Sequence, residues 1–422
     1  MIQPRARAKK GTMPGGAAPL RASEPVLRDL GDLADRAISG CPLSRDEAYE
    51  LMRTSDDDVH LLARAAGAVR DHGRDRTITF SRKVFIPLTN LCRDKCGYCT
   101  FAKAPRHPEA KTMTPDDVLA VARAGAAAGC KEALFSLGEK PEDRYGLARL
   151  QLRRLGYAST VDYLVAMCAL VHDETGLIPH ANCGVLNRDE LLALRDVNGS
   201  MGLMLESTSD RLLERGQAHF GCIGKMPATR LETMAMAGEM QVPFTTGILI
   251  GIGETLDERV DSLFAIRDLH QTHGHIQEVI IQNFRAKPDT RMRAWPEPGA
   301  LDMVRTIAVA RFILGPTMNV QAPPNLTPDA HHMYLQGGIN DWGGISPVTR
   351  DHINPERPWP AIENLRRLTE QCGFALRERL CIYPEYAQRD TFVRPRFRDQ
   401  VRVWTDGQGL VPQSPWAADV PT

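Results

Sequence analysis

The chain has 422 residues, 43% hydrophobic and 25% charged, ordinary values for a globular protein with a large core. Lys and Arg balance Asp and Glu at 52 each, so no broad basic field marks a nucleic-acid or anionic-membrane binder. No apolar run near twenty residues reads as a membrane span, and the basic, Pro/Gly-rich start "MIQPRARAKKGTMPGG" lacks the apolar segment of a secretory signal; the expected compartment is the cytoplasm.

In chain order, residues 1–25 read as a disordered lead-in and residues 26–76 as N-terminal helices, with "LSRDEAYELMRTSDDDVHLLARAAGAVRDHG" giving two of them around an acidic break. An alternation then begins. "KVFIPLTN" is an apolar strand. "TPDDVLAVARAGAAAG" opens a helix with Thr114 as N-cap, Pro115 in the first helical position and Asp117 in the first turn. "KEALFSLG" and "STVDYLVAMCALVHDETG" give the next strand and a helix stopped at Gly176. "LIPHANCG", "SMGLMLES", "PFTTGILIGIG", "IQEVIIQNF", "MNVQAPPNL" and "NDWGGIS" supply further strands, with helical stretches between them that include "SDRLLERG" and "PDAHHMYLQGG". About eight strand–helix units with near-continuous apolar strands predict an α/β fold, a (βα)8 TIM-type barrel over residues 77–390, whose chemistry belongs at the carboxyl ends of the strands. A doubly wound open sheet is the alternative arrangement. Residues 391–422 read as a C-terminal tail, the last fifteen or so disordered.

Of the ten cysteines, seven stand singly and read as small buried hydrophobes of a reducing compartment. Cys92, Cys96 and Cys99 are clustered in "LTNLCRDKCGYCTF", directly after the first strand. A structural zinc site wants four closed ligands, and only one knuckle exists here. An iron–sulfur cubane normally takes four thiolates, so three leave one iron open. Gly97 is expected to let the backbone turn around such a cluster, with Tyr98 as an aromatic wall. The competing readings are a zinc-stabilised barrel acting as a binding partner and three core cysteines.

The spacing Cys92-x-x-x-Cys96-x-Tyr98-Cys99 resembles the signature of the radical S-adenosylmethionine (SAM) family. That resemblance implies one [4Fe-4S] cluster held by the three cysteines, with SAM on the open iron and its cleavage to a 5′-deoxyadenosyl radical by an external electron donor. It also implies SAM contacts at the strand ends. Gly138 and Glu139 in "SLGEKPE" stand where the family has a Gly-Gly-Glu motif, here with one glycine fewer. Glu206 in "LMLES" is a second acid, Arg230 in "PATRLETM" a partner for the methionyl carboxylate, and Gly247 and Gly251 in "GILIGIGE" an adenosine-facing stretch.

Beyond those motifs, "RKVFIPLTNLCRDKCGYCTFAK", "EALFSLGEKPEDRY", "NDWGGISPVTRDHINPERPWP" and "RERLCIYPEY" resemble the CofG-type components of deazaflavin synthases. This implies a lyase that takes the adduct of a hydroxybenzyl group with a ribityl-diaminouracil, made by a CofH-type partner, closes the ring and expels ammonia. With a single cysteine trio, the chain reads as a stand-alone CofG-type unit. A CofH-like or menaquinone-pathway radical enzyme is the neighbouring reading. Strand-end polar residues offered for a polar substrate are Asn182, Gln282, Asn283, Gln321, Asn325, Asn340, Asp341 and Ser346, with Trp342 to stack on an aromatic ring. The pair His331-His332, on a predicted helix, reads as structural.

Overall fold

The computed structural model describes residues 29–41 and 43–413. The predicted lead-in, residues 1–25, lies outside them. Strands β1 (Thr77–Pro87), β2 (Glu132–Ser136), β3 (Ile178–Asn182), β4 (Ser200–Gly202), β5 (Phe244–Ile250), β6 (Ile276–Asn283), β7 (Val320–Gln321) and β8 (Asp341–Ile345) follow one another round a parallel sheet that β1 closes by pairing with both β2 and β8. The closed (βα)8 barrel is thus as the alternation predicted, and the open sheet is not formed. All seven residues of β5 are buried, as a strand covered on both faces requires.

The outer helices start where short polar residues satisfy their free N–H groups. Capping boxes stand at Ser44/Glu47, Thr114/Asp117, Ser159/Asp162, Asn187/Glu190 and Thr255/Glu258. The predicted stop at Gly176 holds, with left-handed backbone. The helices Arg45–Met52 and Val59–Arg74 join the outer layer. There Arg53 pairs with Asp257 at 2.5 Å, and Arg305 donates to the Thr54 carbonyl at 2.8 Å.

Several elements differ from the sequence reading. "SDRLLERG" makes only a 3-10 turn, Asp210–Leu213, and β4 and β7 shrink to three and two residues. Gly146–Thr175 is long and apolar enough to cross a membrane by length and composition, which the sequence reading overlooked. It is two helices parted at Gly156, and the second buries Tyr163, Leu164, Cys168 and Val171. A ninth strand, β9 (Ala375–Glu378), pairs with Thr77–Phe80 of β1. The tail is structured as far as it is described. The helix Pro395–Trp404 lays Phe397 edge-on against His172, and the supposedly disordered residues 408–413 turn back so that the Val411 N–H donates to the Glu378 carbonyl at 2.9 Å.

The barrel floor is ionic. Asp341 takes Arg379 at 2.6 and 2.9 Å and the Thr79 hydroxyl, and Arg379 reaches Glu278 at 3.4 Å. Burial opposes charge on Arg379, yet Asp341 outweighs it and holds the guanidinium well above its ordinary range; burial raises Glu278. Lys83 pairs with Glu132 at 2.8 Å.

Burial also holds His180 down at about 4 and His219 and His275 at about 3. A histidine whose folded pKa lies below its unfolded value binds its proton more readily when unfolded, so its contribution to stability is present above pH ~6.5 and drains as pH falls toward the folded value. Each such ring is expected to steepen acid destabilisation by about 1.4 kcal/mol per pH unit below pH ~6. Denaturant midpoints measured between pH 7 and 5 should therefore fall less steeply in His275→Leu than in the parent; an unchanged slope would show that His275 does not titrate on unfolding.

Candidate active site

The carboxyl ends of the strands open on a cavity of about 340 Å³. The loop after β1 brings Cys92, Cys96 and Cys99 to its wall together. This loop is held from two sides: the Gly97 N–H donates to the Ala218 carbonyl at 2.6 Å, and the Met292 N–H donates to the Gly97 carbonyl at 3.0 Å. Gly97 does not have the left-handed backbone of a tight turn. What it provides is room, since a Cβ there would stand 3.0 Å from the Met292 sulfur. The Cys92 sulfur accepts the Glu139 N–H at 3.2 Å, and the Cys99 sulfur the Ala102 N–H at 3.5 Å. Burial pushes the Cys92 thiol up to about 12 and raises Cys99, while a hydrogen bond from the Cys222 thiol lowers Cys96. Cys222, scattered in sequence, therefore meets the trio in space.

Gly138 follows β2 and packs so tightly beneath the cysteine loop that a Cβ would collide with the Leu91 carbonyl; its N–H donates to the Thr89 carbonyl at 2.8 Å. Glu139 next to it is buried and clamped by Arg93 at 2.5 and 3.2 Å. Asp94, between Cys92 and Cys96, accepts from the Gly224 N–H at 3.4 Å through one oxygen. The other is buried without a partner among the described residues. Burial, and then the Glu139 charge, raises its pKa.

Glu206 occupies a left-handed conformation (φ 64°), bridging to Ile248 of β5 and donating its N–H to the Gly247 carbonyl at 3.1 Å. Its carboxylate takes Lys225 at 2.6 Å and the Tyr98 hydroxyl at 3.4 Å, and that hydroxyl also meets His219 Nε2 at 3.1 Å. Burial opposes its ionisation, but Lys225 and Arg230 outweigh that and hold it below the usual carboxylate range. Arg230, on the helix Pro227–Glu239, donates to the Met204 and Gly224 carbonyls at 2.8 Å each. It forms no ion pair among the described residues, so part of its guanidinium is left to the cavity it lines.

The structure thus brings Cys92, Cys96, Cys99, Tyr98, Gly138, Glu139, Glu206 and Arg230 to one cavity, which Asp94 and Lys225 also line and His219 adjoins through Tyr98; sequence reasoning singled out none of these last three. Lys225, five residues before Arg230, carried no periodic or motif signal. Neither Gly247 nor Gly251 lines the cavity. Gly247 lies inside β5 against Ile280, and the Gly251 N–H is taken by Glu254 at 2.8 Å in a loop packed on Pro298.

The substrate-facing candidates Asn340, Asp341 and Trp342 are corrected outright. Asn340 ties Arg311, Asn319 and Val320 together at the amino end of β8, Asp341 belongs to the ionic floor, and Trp342 is wholly buried with Nε1 on Thr369. All three lie at the amino end of β8, and none is among the residues that line the cavity. Asn325 and Ser346 are taken up by Asp351 and Thr349, and His331 by the Pro324 carbonyl. Asn182, Gln282, Asn283 and Gln321 do line the cavity. The segment after β8 folds over it, its Trp359 stacked on Phe85 at 5.2 Å.

The residues present fit the cluster and SAM. Three thiols line the cavity, with the Cys222 thiol beside Cys96 but outside the lining; an orphaned carboxylate oxygen and Glu139 offer acceptors for an ammonium, and Arg230 a fork for a carboxylate.

Residues 86–266 match the Radical SAM superfamily. The FO synthase of Nocardia farcinica is 52% identical over 383 residues, covering 88% of this chain and 44% of that protein. The 7,8-didemethyl-8-hydroxy-5-deazariboflavin synthase of Methanopyrus kandleri is 51% identical over 312 residues, covering 74% of this chain and 93% of that one. The chain spans about half the length of the FO synthases it matches. Among solved structures, methylornithine synthase (PylB) superposes with a TM-score of 0.65 at 19% identity, covering 82% of this chain and 97% of that one, a likeness of fold. On these grounds the chain belongs to the radical SAM superfamily and, within it, to the 7,8-didemethyl-8-hydroxy-5-deazariboflavin synthase family of CofG-type enzymes.

Proposed function

We propose that this protein carries out the CofG-type step of deazaflavin formation. It takes the hydroxybenzyl adduct of a ribityl-diaminouracil, has hydrogen removed from it, closes the third ring and releases ammonia. The observation that carries the reading is the shared cavity: three thiols, a carboxylate–guanidinium pair of walls and uncommitted amides meet in one space, in a chain 51% identical to nearly the whole of a synthase named for that product.

When bound, a cluster on Cys92, Cys96 and Cys99 with SAM supplies one-electron cleavage to a carbon radical. The protein's part is position and exclusion of water. Glu139 and Asp94 offer acceptors to the methionyl ammonium, which has only donors to give. Arg230 offers a fork to the methionyl carboxylate. Glu206, fixed by Lys225 and Tyr98, stands between that end and β5, where its carboxylate can accept from ribose hydroxyls. Trp359 and Phe101 line the cavity with aromatic surface. A CofH-type partner supplies the adduct and an external donor the electron.

Anaerobic turnover of the reconstituted protein with SAM, dithionite and the adduct tests this. Deazaflavin fluorescence together with 5′-deoxyadenosine, both lost in Cys96→Ala, supports it, and deoxyadenosine without fluorescence rules out the substrate. Arg230→Met should weaken SAM binding by about 10- to 100-fold in equilibrium dialysis, the loss of charge-assisted hydrogen bonds worth about 1.5–3 kcal/mol. Unchanged SAM affinity would remove Arg230 from the SAM site.

A further inference from the structure

Three side-chain amides reach the cavity from facing walls of the barrel. Asn182 ends β3, Gln282 lies on β6 and Gln321 on β7. Ile280 stands beside Gln321 in register, and Gln282, two residues further along β6, presents its side chain to the same face. β3 lies four strands from β7 round the closed ring, so Asn182 faces the two glutamines across the lumen. Gln321 is only 5% exposed, and its amide occupies the space that a Cβ on Gly343 would fill. None of the three amides has a hydrogen-bond partner among the described residues.

Their neighbours behave differently. Asn283 is engaged by Thr327, Asn325 by Asp351, and Asn340 by Arg311 and Asn319. Asn182 and Gln282 are half-buried, and none of the three amides is sealed from the cavity, so each keeps two donors and an acceptor free to meet a ligand there. Three such groups converging on one cavity are the fixed polar set that orients a polar ligand in an otherwise apolar pocket.

We propose that Asn182, Gln282 and Gln321 recognise the neutral, hydrogen-bonding half of the substrate, a pyrimidinedione carrying a polyol chain; this rests on the deazaflavin reading given above. Each carboxamide offers two donors and an acceptor, matching the alternating acceptor–donor–acceptor edge of a cyclic imide and the dual character of hydroxyls. A charged ligand would call for a counter-charge instead. The hydroxybenzyl half, apolar but for one oxygen, suits the aromatic wall of Phe85 and Trp359.

The test is binding of a ribityl-substituted diaminouracil to the cluster- and SAM-loaded protein, by calorimetry, for the parent and for Gln321→Leu, Gln282→Leu and Asn182→Leu. Each substitution should weaken binding by about tenfold. SAM affinity and binding of p-cresol, a probe of the hydroxybenzyl half, should not change. Because each removes an unpartnered amide, the unliganded variants should melt no lower than the parent, which separates recognition from misfolding. Equal affinity in parent and variants, with the parent converting the adduct, overturns this assignment alone. A parent that binds SAM but neither binds the ribityl compound nor converts the adduct overturns both this inference and the deazaflavin reading.

Discussion

Alanine at Cys92, Cys96 or Cys99 is expected to leave a folded protein without iron or sulfide and with product formation lower by about 10³-fold or more, a loss of at least about 4 kcal/mol of barrier lowering. The fold should survive because the loop that bears the trio is held by backbone contacts, Gly97 to Ala218 and to Met292, that use no thiol. Two controls make the expectation sharp. Cys130→Ala changes a buried thiol away from the cavity, and Cys222→Ala removes the thiol beside Cys96; both should keep full iron content. Iron and sulfide analysis with visible absorption decides the matter. Normal cluster content in all three single variants would exclude the trio as the ligand set, while loss of iron in Cys222→Ala would make that residue a ligand too.

Replacing Arg379 with Met is expected to destabilise the protein by about 3–5 kcal/mol, a large share of a typical folding margin of about 5–15 kcal/mol. The residue lies 2% exposed at the floor of the barrel, and without it Asp341 and Glu278 remain buried with no cation. The cost comes from the stranded charge rather than from the pair's own worth. The double variant Arg379→Met/Asp341→Leu should therefore recover most of the loss, as buried ion pairs replaced by apolar groups often do. Denaturant midpoints for the single and double variants measure this. A single variant within 1 kcal/mol of the parent would mean that water or a rearranged Lys83 reaches the floor.

Asp341 also shows what kind of signal the sequence carries. The barrel was legible because parallel strands covered on both faces have to be apolar throughout, and because helix starts such as Thr114-Pro115-x-Asp117 state their own chemistry locally. The cysteine trio was legible because its three sulfurs lie within one loop. Asp341 and Asn340 looked like ligands for the same reason that true ligands do: both are polar residues in an apolar strand context. Their partners, Arg379 and Arg311, come from distant segments, and only the closed sheet shows that each polar group is already satisfied. Lys225 and His219 were missed for the converse reason. They sit in an irregular stretch after β4, without periodicity, and acquire meaning only when Glu206 and Tyr98 are folded against them. Gln282 and Gln321 were recognised as candidates, but which of the amides remain free is a property of register across β6 and β7.

The pairing of β9 with β1 bears on how the chain can be made. β1 is among the first strands to leave the ribosome, yet its partners are β2, β8 and β9, the last of them at Ala375–Glu378. One flank of its backbone therefore stays without its final neighbour through the synthesis of nearly three hundred further residues (on the order of 15–60 s at ordinary elongation rates). During that interval the nascent polypeptide exposes an apolar, unpaired strand edge, the feature by which incomplete sheets associate with one another. Closure then has to wait until β8 and β9 have been made. Slower, cooler expression and chaperone supply should accordingly govern the yield of usable enzyme, and a truncation ahead of Ala375 should accumulate in aggregates even with every cavity residue present.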